Sequence, residues 1–202
     1  MKKLALVLTS AFICSAASAS TIGVSAHPFT MKKQVVTTEF NNYMTNGTGA
    51  GITARYFQRV SDQMNFDAGF GITDGDRANR IFAGADFSLV PDYGRQPRVS
   101  IKGLLETQDF DGNRINSFGA APMVSKGFSF WGKEAFPFLS LPLKVSLNAD
   151  SDTYETSTAV AAGITGRLPM EGYENLVYNF ETNMSVRNSY TGFVMGISLP
   201  IQ

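Results

Sequence analysis

The chain has 202 residues, with 17 basic and 17 acidic side chains, 44% hydrophobic and 12% aromatic content, and one cysteine. This charge balance argues against nucleic acid as a partner, which would favour a basic face, and the apolar content excludes an acidic disordered tail. The length accommodates one domain, or two small ones.

Lys2 and Lys3 open the chain, Leu4 to Ile13 is mostly apolar, and Ala17-Ser18-Ala19 supplies the small residues a signal peptidase requires. Together they predict a secretory leader over 1–19, cleaved before Ser20, and a single domain over 20–202. The apolar run is too short for a spanning helix, which needs about 20 such residues. Cys14 follows bulky Ile13 rather than the small residue of a lipidation site, so it leaves with the leader. The mature chain is then free of disulfide and thiolate chemistry. Loss of Lys2 and Lys3 takes the basic count from 17 to 15 and the formal charge to −2.

Beyond the leader, apolar residues recur with period two, the signature of strands. In chain order the predicted strands are 20–30, 48–60, 64–73, 80–90, 98–108, 114–125, 136–148, 156–168, 175–187 and 191–202. Met64, Phe66, Ala68, Phe70 and Ile72 share one face of the third, and Ile81, Ala83, Ala85, Phe87 and Leu89 one face of the fourth. Leu139, Leu141, Leu143, Val145 and Leu147 line one face of the seventh, and Phe193, Met195, Ile197, Leu199 and Ile201 one face of the last. Turn residues separate these runs, among them Ser61-Asp62-Gln63, Asp74-Gly75-Asp76 and Pro169 to Gly172. Two places stay open. Segment 31–47, with Val35-Val36 and Phe40, competes with 20–30 for the first strand, and 114–125 has apolar residues in both phases, Ile115 and Met123 against Phe118 and Val124. The count is about ten strands, with eight as the alternative, because an even number returns both ends to one side.

Alternation alone suits a soluble sandwich or barrel as well as a membrane barrel. The sorting of charge discriminates. Arg55, Asp67, Asp86, Lys102, Glu106, Lys144, Arg167 and Glu181 all fall opposite the large apolar rows. A lysine or arginine on a lipid-facing position near the bilayer centre costs roughly 2–4 kcal/mol. The polar phase is also rich in glycine, including Gly69, Gly71, Gly84, Gly163 and Gly196, which suits a narrow barrel interior. The expected fold is therefore all-β, a closed antiparallel up-and-down transmembrane barrel. These eight charged residues would form a lumen network or line a pore. Tyr56, Phe87, Tyr93, Phe110, Trp131, Phe136, Tyr173 and Tyr190 lie near strand ends, where interfacial aromatic girdles form.

A leader, no mature cysteine, hairpin rhythm and an alternating last strand, Gly196-Ile197-Ser198-Leu199-Pro200-Ile201-Gln202, resemble small bacterial outer-membrane barrels. The group includes porin-like proteins and the membrane domain of OmpA-type proteins. The last strand departs from that pattern in lacking a terminal aromatic. The resemblance implies a Gram-negative cell envelope, secretion to the periplasm and insertion in the outer membrane. It also implies lipid and lipopolysaccharide as surroundings, assembly machinery that reads the C-terminal strand, and a monomer. Segments 31–47, 74–79, 109–113, 149–155 and 188–190 would face outward.

Three acid pairs fall in those outer loops: Asp74 with Asp76, Asp109 with Asp111, and Asp150 with Asp152. Ca²⁺ wants six to eight oxygens, which no pair supplies, and Asp-Gly turns account for the residues without a metal. His27, the single histidine, stands two residues from Ser25 near the expected outer end of the first strand. That spacing leaves the two side chains about 7 Å apart on one strand face, and no third catalytic member is evident. The sequence contains no G-x-S-x-G, phosphate loop or nucleotide fingerprint. No catalytic residue and no cofactor is expected. The expected function is a non-enzymatic outer-membrane barrel, structural or a narrow passive pore. An outer-membrane lipid- or peptide-hydrolysing enzyme and a soluble periplasmic barrel for an apolar ligand are the alternatives.

Overall fold

The computed structural model describes residues 21–29, 34–45, 48–74, 77–110, 112–130, 132–148 and 153–201. The leader over 1–19 with Cys14, as well as Asp76, Asp111, Trp131, Asp150 and Asp152, lies outside the described residues.

Twelve strands form one sheet that closes on itself, filling ten positions around a barrel. They are β1 (Gln34–Tyr43), β2 (Gly49–Arg59), β3 (Met64–Thr73), β4 (Arg77–Val90), β5 (Arg98–Phe110) and β6 (Asn113–Ser125), then β7 (Phe128–Phe130), β8 (Lys133–Ser140), β9 (Leu143–Asn148), β10 (Thr153–Arg167), β11 (Val177–Arg187) and β12 (Gly192–Ile201). Each pairs antiparallel with its neighbour, and β1 closes the ring against β12 from Gln34↔Ile201 to Tyr43↔Gly192. Closure leaves no open edge along this seam.

β8 and β9 occupy one position. Both lie between β6 and β10, in a continuous register that Leu141-Pro142 interrupts. Proline has no N–H for the ladder, but its carbonyl accepts from Ala159 N at 3.1 Å, and Leu141 N donates to Pro122 O at 3.0 Å. The predicted strand 136–148 is thus one barrel strand with a short break. The expected connection 126–135 instead carries a small hairpin, β7 with the start of β8.

Two expectations are corrected. Segment 20–30 is not the first strand, and 31–47 is not an outer loop, because Gln34–Tyr43 supplies β1. Residues 21–29 turn into the barrel with a 3₁₀ turn over Gly23–Ala26, where all four residues are buried. The reason is that the residues of 21–29 bury apolar side chains against the inner wall, whereas 34–43 alternates cleanly. Val35, Thr37, Glu39, Asn41 and Tyr43 face inward, and Val36 and Phe40 outward.

The N-terminal segment also resolves the phase of β6. Ile115 and Met123 face inward at 1% exposure, while Phe118 and Val124 face outward. Met123 and Ala121 pack with Ile22, Ala26, Leu104, Phe138 and Ala161 in one apolar cluster. Val24, Phe29, Val35, Phe57 and Val177 form a second. The inner wall needs apolar residues wherever the N-terminal segment touches it. Of the aromatic residues expected in girdles, Phe136 and Tyr190 are instead turned into the barrel. Phe136 packs edge-on to His27 at 5.3 Å, and Tyr190 to Tyr43 at 5.1 Å.

The small inner residues make room for the large ones. A Cβ added at Gly84 would sit 2.9 Å from both Asp67 Oδ1 and Lys102 Cε. Gly84→Leu is expected to lower stability by roughly 1–3 kcal/mol through overpacking, read as a lower denaturation midpoint for the folded barrel.

Candidate functional site

The interior of the barrel is where the chemistry gathers. Alternation places Arg55, Asp67, Asp86, Lys102, Glu106, Lys144 and Glu181 on the inner wall, all buried. Arg167 shares their phase but stands exposed at the end of β10, away from the network. Three further charges join the seven. Glu39 belongs to the strand assigned above as a loop, and Arg80 and Arg98 are the first residues of the expected strands 80–90 and 98–108. Parity was the available signal, since Arg80 is in phase with Phe82, Gly84 and Asp86.

The charges fall into two layers. In the deeper layer Arg55 reaches Glu39 Oε1 through Nε at 3.2 Å and pairs with Asp67 through Nη1. Lys102 Nζ sits 2.8 Å from Asp67 Oδ1. The Arg55 guanidinium also lies 4.6 Å over the Phe82 ring, a favourable cation–π position. Further along the barrel, Glu106 receives Arg80 at 3.8 Å and Lys144 at 3.6 Å. Arg80 Nη2 also donates to Thr53 Oγ1 at 2.6 Å. Beyond this layer the Tyr43 and Tyr190 rings meet edge to face, both nearly fully buried.

The wall charges grip the N-terminal segment. Thr21 Oγ1 donates to Glu39 at 2.9 Å, and Arg55 Nη2 donates to Thr21 Oγ1. Ile22 N and Gly23 N both donate to Glu181 Oε2 at 2.8 Å. Lys102 Nζ donates to Ser25 Oγ at 3.2 Å and to Thr21 O at 3.3 Å. Arg98 donates to Ser25 O at 2.6 Å and pairs with Asp86, which also accepts from Ser100 Oγ at 2.9 Å. The segment is therefore bound as a ligand would be, by charge-assisted bonds from four strands, β1, β2, β5 and β11.

At the mouth where both ends of the sheet lie, a cavity of about 210 Å³ opens between His27, Phe29, Arg59, Asn65, Asp92 and Arg98. The sequence places His27 near the outer end of the first strand. It is buried at 5% exposure at the opposite mouth, between the Phe29 and Phe136 rings. Burial, with a smaller contribution from Arg167, lowers its pKa from 6.5 to about 4. Ser25 is engaged by Lys102, and no hydrogen bond joins it to His27 among the described residues. Nearby, burial pushes the Asp92 carboxyl up, but bonds from Lys126 and Gly127 N outweigh it and hold the group below its usual value.

Of the expected loop acids, Asp74 accepts from Ala50 N at 2.5 Å, a turn-closing role. Asp109 lies one residue before the end of β5, opposite Arg114. No group of three or more metal-ligating side chains occurs among the described residues.

Two outcomes are expected. Arg55→Met removes the cation beside Glu39, leaves Asp67 with Lys102 alone, and lowers stability by about 3–5 kcal/mol, measured by denaturant unfolding. His27 stays neutral in the folded barrel down to about pH 4, whereas the unfolded chain binds a proton below its ordinary pKa of about 6.5. Stability conferred by wild type relative to His27→Gln should therefore fall as pH drops from 6.5 towards 4, and be level above it.

No protein-family model matches the chain, and no curated protein matches it. Among solved structures, one described as a de novo design of transmembrane beta-barrels is similar at 14% identity. The match covers 86% of this chain and 98% of that chain with a TM-score of 0.42.

Proposed function

We propose that the chain is an integral outer-membrane β-barrel without enzymatic activity, sealed by its own N-terminal segment, and so structural rather than an open pore. The observation that carries this reading is the inversion of polarity across the wall. Ile81, Ile72 and Leu105 stand 68%, 62% and 62% exposed on the outside, while Arg55 and Lys102 are 1% and 0% exposed inside. A soluble barrel that binds an apolar ligand would have the opposite arrangement, with apolar rows facing the ligand and charges facing water. The strands also span 10 to 15 residues at most barrel positions, enough for the ~9–11 a tilted crossing strand needs.

Sealing is supported by the burial of 21–29 and by the Tyr43–Tyr190 pair beyond the second charge layer. The engagement of Ser25 by Lys102 and of His27 by phenyl rings supports a non-enzymatic role. Lipid and lipopolysaccharide are the proposed surroundings, and assembly machinery reading β12 the proposed partner. The barrel is proposed as a monomer, entering by way of the periplasm.

In detergent, the unboiled protein should migrate differently from the boiled protein on gel electrophoresis, and in planar bilayers it should show no steady conductance. Aqueous partition without a mobility shift would sink the membrane reading, while steady conductance would favour the pore. Leu105→Arg should cost roughly 2–4 kcal/mol in a bilayer, against about 0.5 kcal/mol for an exposed position in water, measured by unfolding from lipid vesicles.

A further inference from the structure

We propose that a cleft on the outer wall, at the mouth where both ends of the sheet lie, binds the phosphate of an anionic phospholipid, with Lys133 and Arg167 as its cations. This site rests on the outer-membrane reading and adds to it a specific lipid contact.

Of the charges expected in the lumen, Arg167 is left outside the interior network. It ends β10, exposed at the rim. With Lys133, Leu168, Pro169 and Tyr178 it borders a cavity of about 250 Å³. Lys133 is the first residue of β8 and stands opposite Phe130 of β7. β7 pairs with β8 at the end of the sheet order, and the hairpin they form carries Lys133 to the side of the cleft.

The cleft lies on the outward side of the wall. Gly166 pairs with Ala135 on one side and with Tyr178 on the other. Even spacing along each strand puts these residues on the face of Ile164, Leu139 and Phe180, and Leu139 and Phe180 are exposed outside. The missing side chain of Gly166 keeps the recess open. A Cβ there would fall 2.8 Å from Glu134 O and 3.2 Å from Tyr178 Oη, so the phenol hydroxyl lies across the recess.

Charge and apolar surface meet here in the way a lipid requires. No ion pair among the described residues uses Lys133 or Arg167. Glu134 borders the same cavity and pairs with neither cation, and the same holds for Glu171 and Glu174 in the turn after Pro169. A guanidinium presents a planar fork that fits phosphate oxygens, and a lysine adds a compact charge. Leu168, Pro169 and the Tyr178 ring form the apolar part of the lining. A free phosphate gains nothing from that part, whereas a phospholipid presents phosphate and hydrocarbon together. Basic pockets at a membrane boundary recognise head groups on this basis, and tyrosine is favoured at the same depth. With both ends of the sheet on the periplasmic side, the cleft opens to the phospholipid leaflet there.

The test uses the folded full chain in detergent, titrated with dioleoylphosphatidylglycerol or dioleoylphosphatidylcholine, with native mass spectrometry to count bound lipid. Wild type should hold one phosphatidylglycerol roughly tenfold more tightly than phosphatidylcholine, and Lys133→Ala and Arg167→Ala should each weaken that binding about fivefold. Lys133→Arg should retain it. Arg95→Ala removes an exposed cation from another turn at the same mouth and should leave it unchanged. All four changes lie at the rim, and the mobility shift on boiling identifies folded protein. Millimolar inorganic phosphate should not displace the lipid. Equal retention of the two lipids, unchanged binding in both alanine variants of the cleft, or an equal loss in Arg95→Ala would overturn the proposal. Displacement by inorganic phosphate would overturn it too, as the mark of a soluble-anion site. A barrel that shifts on boiling but shows no lipid preference refutes this inference alone. A protein that never shifts refutes the membrane reading, and this inference with it.

Discussion

A carboxylate enclosed in protein has to be met by cations or by hydrogen-bond donors, and this barrel encloses several. Glu39, Asp67, Asp86, Glu106 and Glu181 all lie on the inner wall with almost no exposed surface. Removing an ion from water costs several kcal/mol, which only close partners recover. The wall supplies Arg55, Arg80, Arg98, Lys102 and Lys144 as those partners. What the wall does not supply, the N-terminal segment does. Its hydroxyls, amides and carbonyls fill the remaining donor and acceptor positions around Glu39, Glu181 and Lys102.

That dependence makes the segment part of the fold rather than an appendage. It contributes apolar contacts as well as polar ones, through Ile22 and Ala26 on one side and Val24 and Phe29 on the other. Withdrawing it would expose both clusters and strand the carboxylates it serves. Sealing of the lumen and stability of the barrel are thus properties of the same contacts. A barrel that opened by releasing this segment would have to offset both losses at once.

Much of the architecture was legible as parity. The outward rows of β3, β4, β9, β11 and β12 follow the alternation of the chain, because a strand turns successive side chains to opposite faces. The inward position of Arg55, Asp67 and Lys102 follows from the same rule. Parity failed where a second element lay against the wall. Ala121 and Met123 face inward because Ile22 and Ala26 meet them there, and nothing local in β6 announces that contact. The same cause misplaced the first strand. Residues 21–29 are apolar enough to read as strand, while their partner is the interior and not a neighbouring strand. His27 was misread with them, and its burial between two phenyl rings depends on that inward path.

The chain alone determined which side chains share a face, where the hairpins turn, and that charge and large apolar groups lie on opposite sides of one sheet. These are consequences of a two-residue period and of turn chemistry, which act over neighbouring residues. The choice of ten positions over eight, the identity of Gln34–Tyr43 as the strand that closes on β12, the pairing of Arg55 with Glu39 and Asp67, and the burial of 21–29 were decided only in three dimensions. Each brings together groups far apart along the chain, and which partners meet depends on the diameter of the closed ring and on what remains to fill it.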